Sequence, residues 1–136
     1  MSTSIVASAA PSSLVLLVDD EADIRRLTGL EVQALGYGLV VARNGQEGLE
    51  LARRYRPDLV LSDALMPKLD GRDMCKQIKD DPELARTRVV VMTSLYTGVK
   101  YETRAHRNYG MDDYLVKPIQ FKRLREVLEK HLPRPA

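Results

Sequence analysis

Short, uninterrupted apolar runs recur along this chain, separated by segments whose apolar residues return at helical spacing. The runs fall at 14–18 (Leu14-Val15-Leu16-Leu17-Val18), 39–42, 59–61, 89–92 and 114–116, and they are rich in Val and Leu. A strand that is apolar at every position, not just at alternate ones, is one covered on both faces. The segments between carry Ile24, Leu27, Ala34 and Leu35, then Leu49, Ala52 and Tyr55, then Met74 and Ile78, and finally Phe121, Leu124, Leu128 and Leu132. Such alternation of buried strands with amphipathic helices predicts an open, doubly wound α/β domain, with five parallel strands and helices on both faces of the sheet.

Punctuation supports the division. Gly36 stops the first helix, Pro57 precedes the third run, and Asp81-Pro82 ends the third helix because a residue before proline avoids the helical region. Gly29 and Gly48 fall inside predicted helices, where each costs about 1 kcal/mol relative to alanine. Packing must outweigh them, or those helices are shorter than drawn. With 136 residues the chain forms one domain, expected over 14–132, with loose tails at 1–13 and 133–136. The ending Pro133-Arg134-Pro135-Ala136 suits a natural terminus or the start of a linker, so a stand-alone protein and a piece of a longer one both stay open.

Composition excludes more than it identifies. A net charge of +2 does not argue for nucleic acid or an anionic membrane as partner. No stretch approaches the ~20 apolar residues that span a bilayer, and residues 1–13 lack the basic and apolar regions of a signal peptide. The one cysteine, Cys75, cannot form an internal disulfide, which fits a cytoplasmic protein. It reads as a packed small residue, and His106 and His131 read as solvated helix residues.

The chemistry lies where the runs end. Asp19 and Asp20 follow the first run, Asp63 closes the third, Thr93 the fourth, and Lys117 the fifth. Ligands of open α/β sheets bind beyond the carboxyl ends of the strands, where the strand order reverses. With order 2-1-3-4-5 that crevice lies between the first and third strands, gathering three carboxylates. Carboxylates so crowded raise one another's pKa unless a cation sits among them, and all-oxygen ligands with room for water suit Mg²⁺. Lys117 adds a point positive charge, and the Thr93 hydroxyl sits at the same rim. Phosphoryl transfer needs mainly positioning and charge neutralisation, and carboxylates form acyl phosphates. The residues therefore point to a Mg²⁺-dependent, phosphoryl-accepting aspartate.

Asp19-Asp20-Glu21, Asp63 with Met66-Pro67 and Asp70-Gly71, Thr93-Ser94, and Asp113-Tyr114-Leu115-Val116-Lys117-Pro118 together resemble the response-regulator receiver domains of two-component signalling. Any one motif is weak; all of them in this order are specific. The resemblance spans roughly 14–132 and implies the flavodoxin-like order 2-1-3-4-5. It further implies that Asp63 is the phosphoacceptor, that Asp20 ligates Mg²⁺ directly and Asp19 less directly, and that the backbone carbonyl of Leu65 is a further ligand. Lys117 would contact the phosphoryl group through a loop with a cis bond to Pro118. Thr93 would bind the phosphoryl group in the active state, and Tyr114 would swing inward as Thr93 moves. The phosphate donor would be a phosphohistidine on a sensor kinase or phosphotransfer protein, and the output face a fourth helix, the fifth strand and the fifth helix. Such a domain is a regulatory phosphoacceptor, not a turnover enzyme, and binds no nucleic acid itself.

The sequence departs from the family pattern between Thr93 and Lys117, a slightly long segment that carries Tyr96, Tyr101 and Tyr109 among Lys100, Arg104, His106 and Arg107. Met111 replaces a small residue, and Leu65 and Leu95, at positions that tune phosphate loss in the family, are apolar. A pseudo-receiver that docks without being phosphorylated is the alternative function. An aspartyl phosphatase of the haloacid dehalogenase type is disfavoured because Leu65 stands where those enzymes resemble Asp-x-Asp.

Overall fold

Five apolar runs become five parallel strands of one sheet, hydrogen-bonded so that the second in sequence lies at one edge, followed by the first, third, fourth and fifth. The computed structural model of the chain describes residues 13–66, 68–94 and 110–133. Along the chain run β1 (Leu14–Val18), α1 (Ala22–Ala34), β2 (Gly38–Ala42), α2 (Gly45–Tyr55), β3 (Leu59–Asp63), α3 (Gly71–Asp80), β4 (Arg88–Thr93), β5 (Asp113–Val116) and a C-terminal helix (Phe121–His131). The expected fourth helix, with Leu95, Tyr96, Lys100, Tyr101, Arg104, His106, Arg107 and Tyr109, lies outside the described residues, as do Pro67 and most of both expected tails.

Alternate residues of each strand serve opposite faces. On one face Leu16, Val18, Val40, Val60, Val89 and Val91 meet Leu49 and Ala52 of α2 and Met74, Cys75 and Ile78 of α3. Met111 is buried in this same cluster. On the other face Val15, Leu17, Leu39, Leu59, Leu61, Val90 and Met92 meet Val32 of α1 and Leu124, Val127 and Leu128 of the C-terminal helix. Each fully buried side chain of this size contributes about 1.5–3 kcal/mol, enough to outweigh unfavourable local propensity. Burial also pushes the Cys75 thiol up to about 12, so it is protonated and inert at neutral pH.

The helix ends follow local chemistry. Asn44 caps α2 by accepting from Glu47 N at 2.8 Å, while Glu47 reaches back to Arg43 N at 2.7 Å. Asp70 caps α3 through Arg72 N at 2.8 Å. Gly36 takes φ 97° after α1, and Asp81 is extended before Pro82.

The face of α1 differs from the spacing-based expectation. Thr28, Gly29 and Val32 are the buried residues, while Leu27 is half exposed and Ala34 is exposed. Small residues let this helix lie close to the sheet. A Cβ on Gly29 would stand 3.1 Å from Leu39 Cδ2, and one on Gly48 2.9 Å from both Met74 Sδ and Val18 Cγ2. Close packing, not helix shortening, accounts for both glycines.

At the amino ends of the strands, Asp58 accepts from Leu14 N at 2.7 Å, Thr87 Oγ1 donates to Pro57 O at 3.0 Å, and Asp112 accepts from Val89 N at 2.7 Å. These bonds close backbone groups that the sheet leaves open there.

Two expectations for the C-terminal helix are corrected. His131 is not solvated: its Nε2 lies 2.9 Å from Asp113 Oδ2, with both side chains largely buried. Glu126 pairs with Arg123 at 3.0 Å, one turn earlier, instead of with Lys130, which faces Asp113 at 3.6 Å. Burial opposes ionisation of Asp113, but the His131 bond, the Tyr114 N–H and the Lys130 charge outweigh it and hold the carboxyl below 3.8. A depressed folded pKa stabilises above the unfolded value and is lost as pH falls through the folded one. We expect Asp113→Ala to cost about 2 kcal/mol at pH 7, and this deficit to shrink below pH 3.8 in urea titrations. A deficit unchanged down to pH 3 would show that charge plays no part in the contact.

Candidate functional site

The first acid extends its strand. Asp19 N donates to Ala42 O at 3.2 Å, so the chain stays extended one residue past β1 and turns the Asp19 side chain inward. Asp19 is fully buried and Asp20 exposed, the alternation an extended chain imposes. Asp19 Oδ1 accepts from Glu21 N at 2.9 Å. Its Oδ2 is buried and accepts no hydrogen bond among the described residues. Asp63, the last residue of β3, is 8% exposed, and its carboxylate opens to the rim beside Asp19. One oxygen from each of Asp19, Asp20 and Asp63 lies within 4.8 Å of the others.

Lys117 closes the group from the far side. Its backbone N donates to Thr93 O at 2.8 Å, continuing the β4–β5 ladder by one rung and bringing the side chain back over β3. Its Nζ stands 3.2 Å from Asp63 Oδ2, 3.6 Å from Asp19 Oδ2 and 4.0 Å from Glu21 Oε1. The Lys117–Pro118 bond is cis. Thr93 is buried at the end of β4. Tyr114 is partly buried and lines a cleft of about 410 Å³ with Val116, Gln120 and Arg123.

The loop after Asp63 is held by backbone contacts. Ala64 N donates to Met92 O at 2.8 Å, Gly71 N to Ala64 O at 2.9 Å, and Ser62 Oγ to Asp63 O at 2.9 Å. A Cβ on Gly71 would fall 1.9 Å from Asp63 O, so only glycine allows this approach. The Leu65 side chain, by contrast, is half exposed.

Electrostatics reflect an acid-rich pocket. Burial pushes the Asp19 carboxyl up, and repulsion from Asp63 and Asp20 adds to it, against the Glu21 N–H and Lys117. Burial alone would lower Lys117, but Asp19 and Asp63 outweigh that and raise it, so the amine is charged. One lysine does not satisfy three carboxylates. The buried Asp19 oxygen without a hydrogen bond and the all-oxygen donor set suit a hard divalent cation.

The sequence brought forward Asp19, Asp20, Asp63, Thr93 and Lys117, and the fold draws their strand ends to one rim. It gave no sign of Glu21 facing Lys117, nor of Arg25 on α1, whose Nη1 donates to Asp19 O at 2.7 Å. Neither contact has a signature in residue type alone.

A model of the response regulator receiver domain matches residues 15–129. This chain belongs to that family. The receiver is 34% identical over 122 residues to the polar-differentiation response regulator DivK of Brucella anthropi, covering 90% of this chain and 97% of DivK. Other curated relatives are longer: the chain spans 45% of the probable transcriptional regulator ycf27 of Guillardia theta. Among solved structures, the chemotaxis response regulator CheY4 of Vibrio cholerae superposes with a TM-score of 0.82 at 28% identity, over 90% of this receiver and 100% of CheY4. The receiver domain of the sensor histidine kinase PA1611 of Pseudomonas aeruginosa, with a magnesium ion in its active-site cleft, gives a TM-score of 0.78 at 25% identity, over 89% and 98% of the two chains. No helix among the described residues is long and apolar enough to cross a membrane.

Proposed function

We propose that this receiver is a phosphorylation-dependent switch of a two-component system, with Asp63 as phosphoacceptor. The observation that carries the proposal is the Asp63 carboxylate at the sheet rim, flanked by Asp19 and Asp20 on one side and the Lys117 amine, 3.2 Å away, on the other. An Asp63 oxygen attacks the phosphorus of a phosphohistidine; the new O–P bond forms as the P–N bond breaks, and the departing imidazole takes up a proton. Asp20 directly, Asp19 less directly, Asp63 and the Leu65 carbonyl would hold Mg²⁺. Bound there, the ion offsets the charge shared by carboxylates and phosphoryl oxygens.

Lys117 stays charged and near enough to Asp63 to move from carboxylate to phosphoryl oxygen. Thr93, at the same rim, is proposed to take a phosphoryl oxygen, and Tyr114 to follow it inward. The result is a changed binding surface on β5 and the C-terminal helix; the expected fourth helix of that output face lies outside the described residues. Partners would be a histidine kinase or phosphotransfer protein upstream and a protein effector downstream, all in the cytoplasm.

Incubation with acetyl phosphate and Mg²⁺ should raise the intact mass by one phosphoryl group, and Asp63→Asn should abolish the gain. A wild-type protein that gains no mass would favour the non-phosphorylated docking module instead. Because Leu65 offers no polar side chain to orient water, the acyl phosphate is expected to outlast a few seconds by a wide margin. Leu65→Asn should shorten its half-life in a decay series followed by mass; equal decay in the two proteins counts against the assignment.

A further inference from the structure

Asp19 is held at every backbone and side-chain position but one. Its N–H donates to Ala42 O at 3.2 Å, and its Oδ1 accepts from Glu21 N at 2.9 Å. Its carbonyl oxygen is taken not by a neighbouring strand but by the Arg25 guanidinium, at 2.7 Å. The ladder between β1 and its neighbours has ended by this point, so the carbonyl needs a partner from elsewhere. Arg25 lies one turn into α1 and is partly buried. Burial pushes the Glu47 carboxyl of α2 up, but the Arg43 contacts and, least, the Arg25 charge outweigh it and hold it below its usual carboxylate value.

That carbonyl belongs to the peptide joining Asp19 to Asp20. Its plane sets the direction in which Asp20 leaves the chain, and so whether the two carboxylates face the same space. The charge-assisted bond from Arg25 fixes the plane from outside the pocket while adding no donor to the acids themselves.

We propose that Arg25 is a positioning residue for the acid pocket: by gripping the Asp19 carbonyl it presents Asp19 Oδ2 and the Asp20 carboxylate together to a divalent cation. The proposal rests on the metal-holding reading of Asp19, Asp20 and Asp63. Groups that orient ligands in this way typically change metal affinity about tenfold or more when removed.

The test is calorimetric titration of the full chain with MgCl₂ at pH 7, comparing wild type with Arg25→Met, Arg25→Lys and Asp20→Asn. Circular dichroism at the same temperature confirms that each variant is folded. Arg25→Met should weaken Mg²⁺ binding about tenfold. Arg25→Lys, which keeps a charged donor but not the planar fork, should lose only about two- to threefold. If Arg25→Met does not fold, the partial loss in Arg25→Lys decides. Unchanged affinity in either folded arginine variant, or equal losses in lysine and methionine, would overturn the proposal, since a structural role alone gives no graded rescue. No Mg²⁺ binding by wild type would instead overturn the metal-holding reading and this proposal with it. Binding by wild type that Asp20→Asn leaves intact would place the cation elsewhere and overturn both.

Discussion

Gly71→Ala is expected to destabilise the fold by about 3 kcal/mol, at the upper end of overpacking costs. The added methyl would lie 1.9 Å from Asp63 O and 3.0 Å from Ser62 Oγ. Neither can move cheaply. Asp63 O accepts from Ser62 Oγ, and Gly71 N is itself bonded to Ala64 O at 2.9 Å, so both strands of the loop are pinned. Gly29→Ala is the internal control, because its methyl would meet only side-chain carbons, the nearest at 3.1 Å. There the gain in helix propensity, about 1 kcal/mol, roughly offsets the squeeze. Urea denaturation of both variants checks the pair, and similar losses at the two positions would contradict the backbone-contact argument. Because the clash falls on the Asp63 peptide, folded Gly71→Ala should also accept phosphate more slowly.

Lys117→Met should cost roughly 3 kcal/mol at pH 7 in the presence of EDTA, as expected when one partner of a mostly buried charge group is removed. The side chains concerned are little exposed: 16% for Lys117, 11% for Asp63 and 0% for Asp19. The folded pKa of Lys117 is raised above 10.5, so its contribution in wild type is complete below that value and fades as pH rises through the folded one. In the variant the acids lose that cation, and Asp19, whose pKa is already raised, becomes easier to protonate still. The deficit should therefore shrink between pH 8 and pH 5, and shrink again with millimolar Mg²⁺. Denaturation at both pH values, with and without Mg²⁺, measures this. A deficit independent of pH and metal would mean that lysine serves only to fill space.

How much of this was legible beforehand depends on whether the physics is local. The strands were legible because unbroken Val and Leu runs have few other uses, and each observed strand lies within two residues of its run. The rim residues were legible because they follow those runs. The buried face of α1 was misread: Thr28 and Gly29 send no hydrophobic signal, yet their small size is what brings the helix against Leu17 and Leu39. His131 looked solvated because its partner, Asp113, is 18 residues away in sequence and meets it only in the folded chain. Residue type alone does not separate Asp19 from Asp20, whereas strand geometry buries one and exposes the other. Arg25 was silent because its target is a carbonyl oxygen, which every residue possesses.

Parallel strands crowd all the reactive groups onto one rim, while the bonds of Asp58, Thr87 and Asp112 seal the opposite one. The turn there exposes Ala85 and Arg86 between the buried anchors Leu84 and Thr87. A fluorophore or a short guest peptide spliced at that point would ride on the far pole of the molecule, reporting on whole-domain motion while leaving the acid rim untouched.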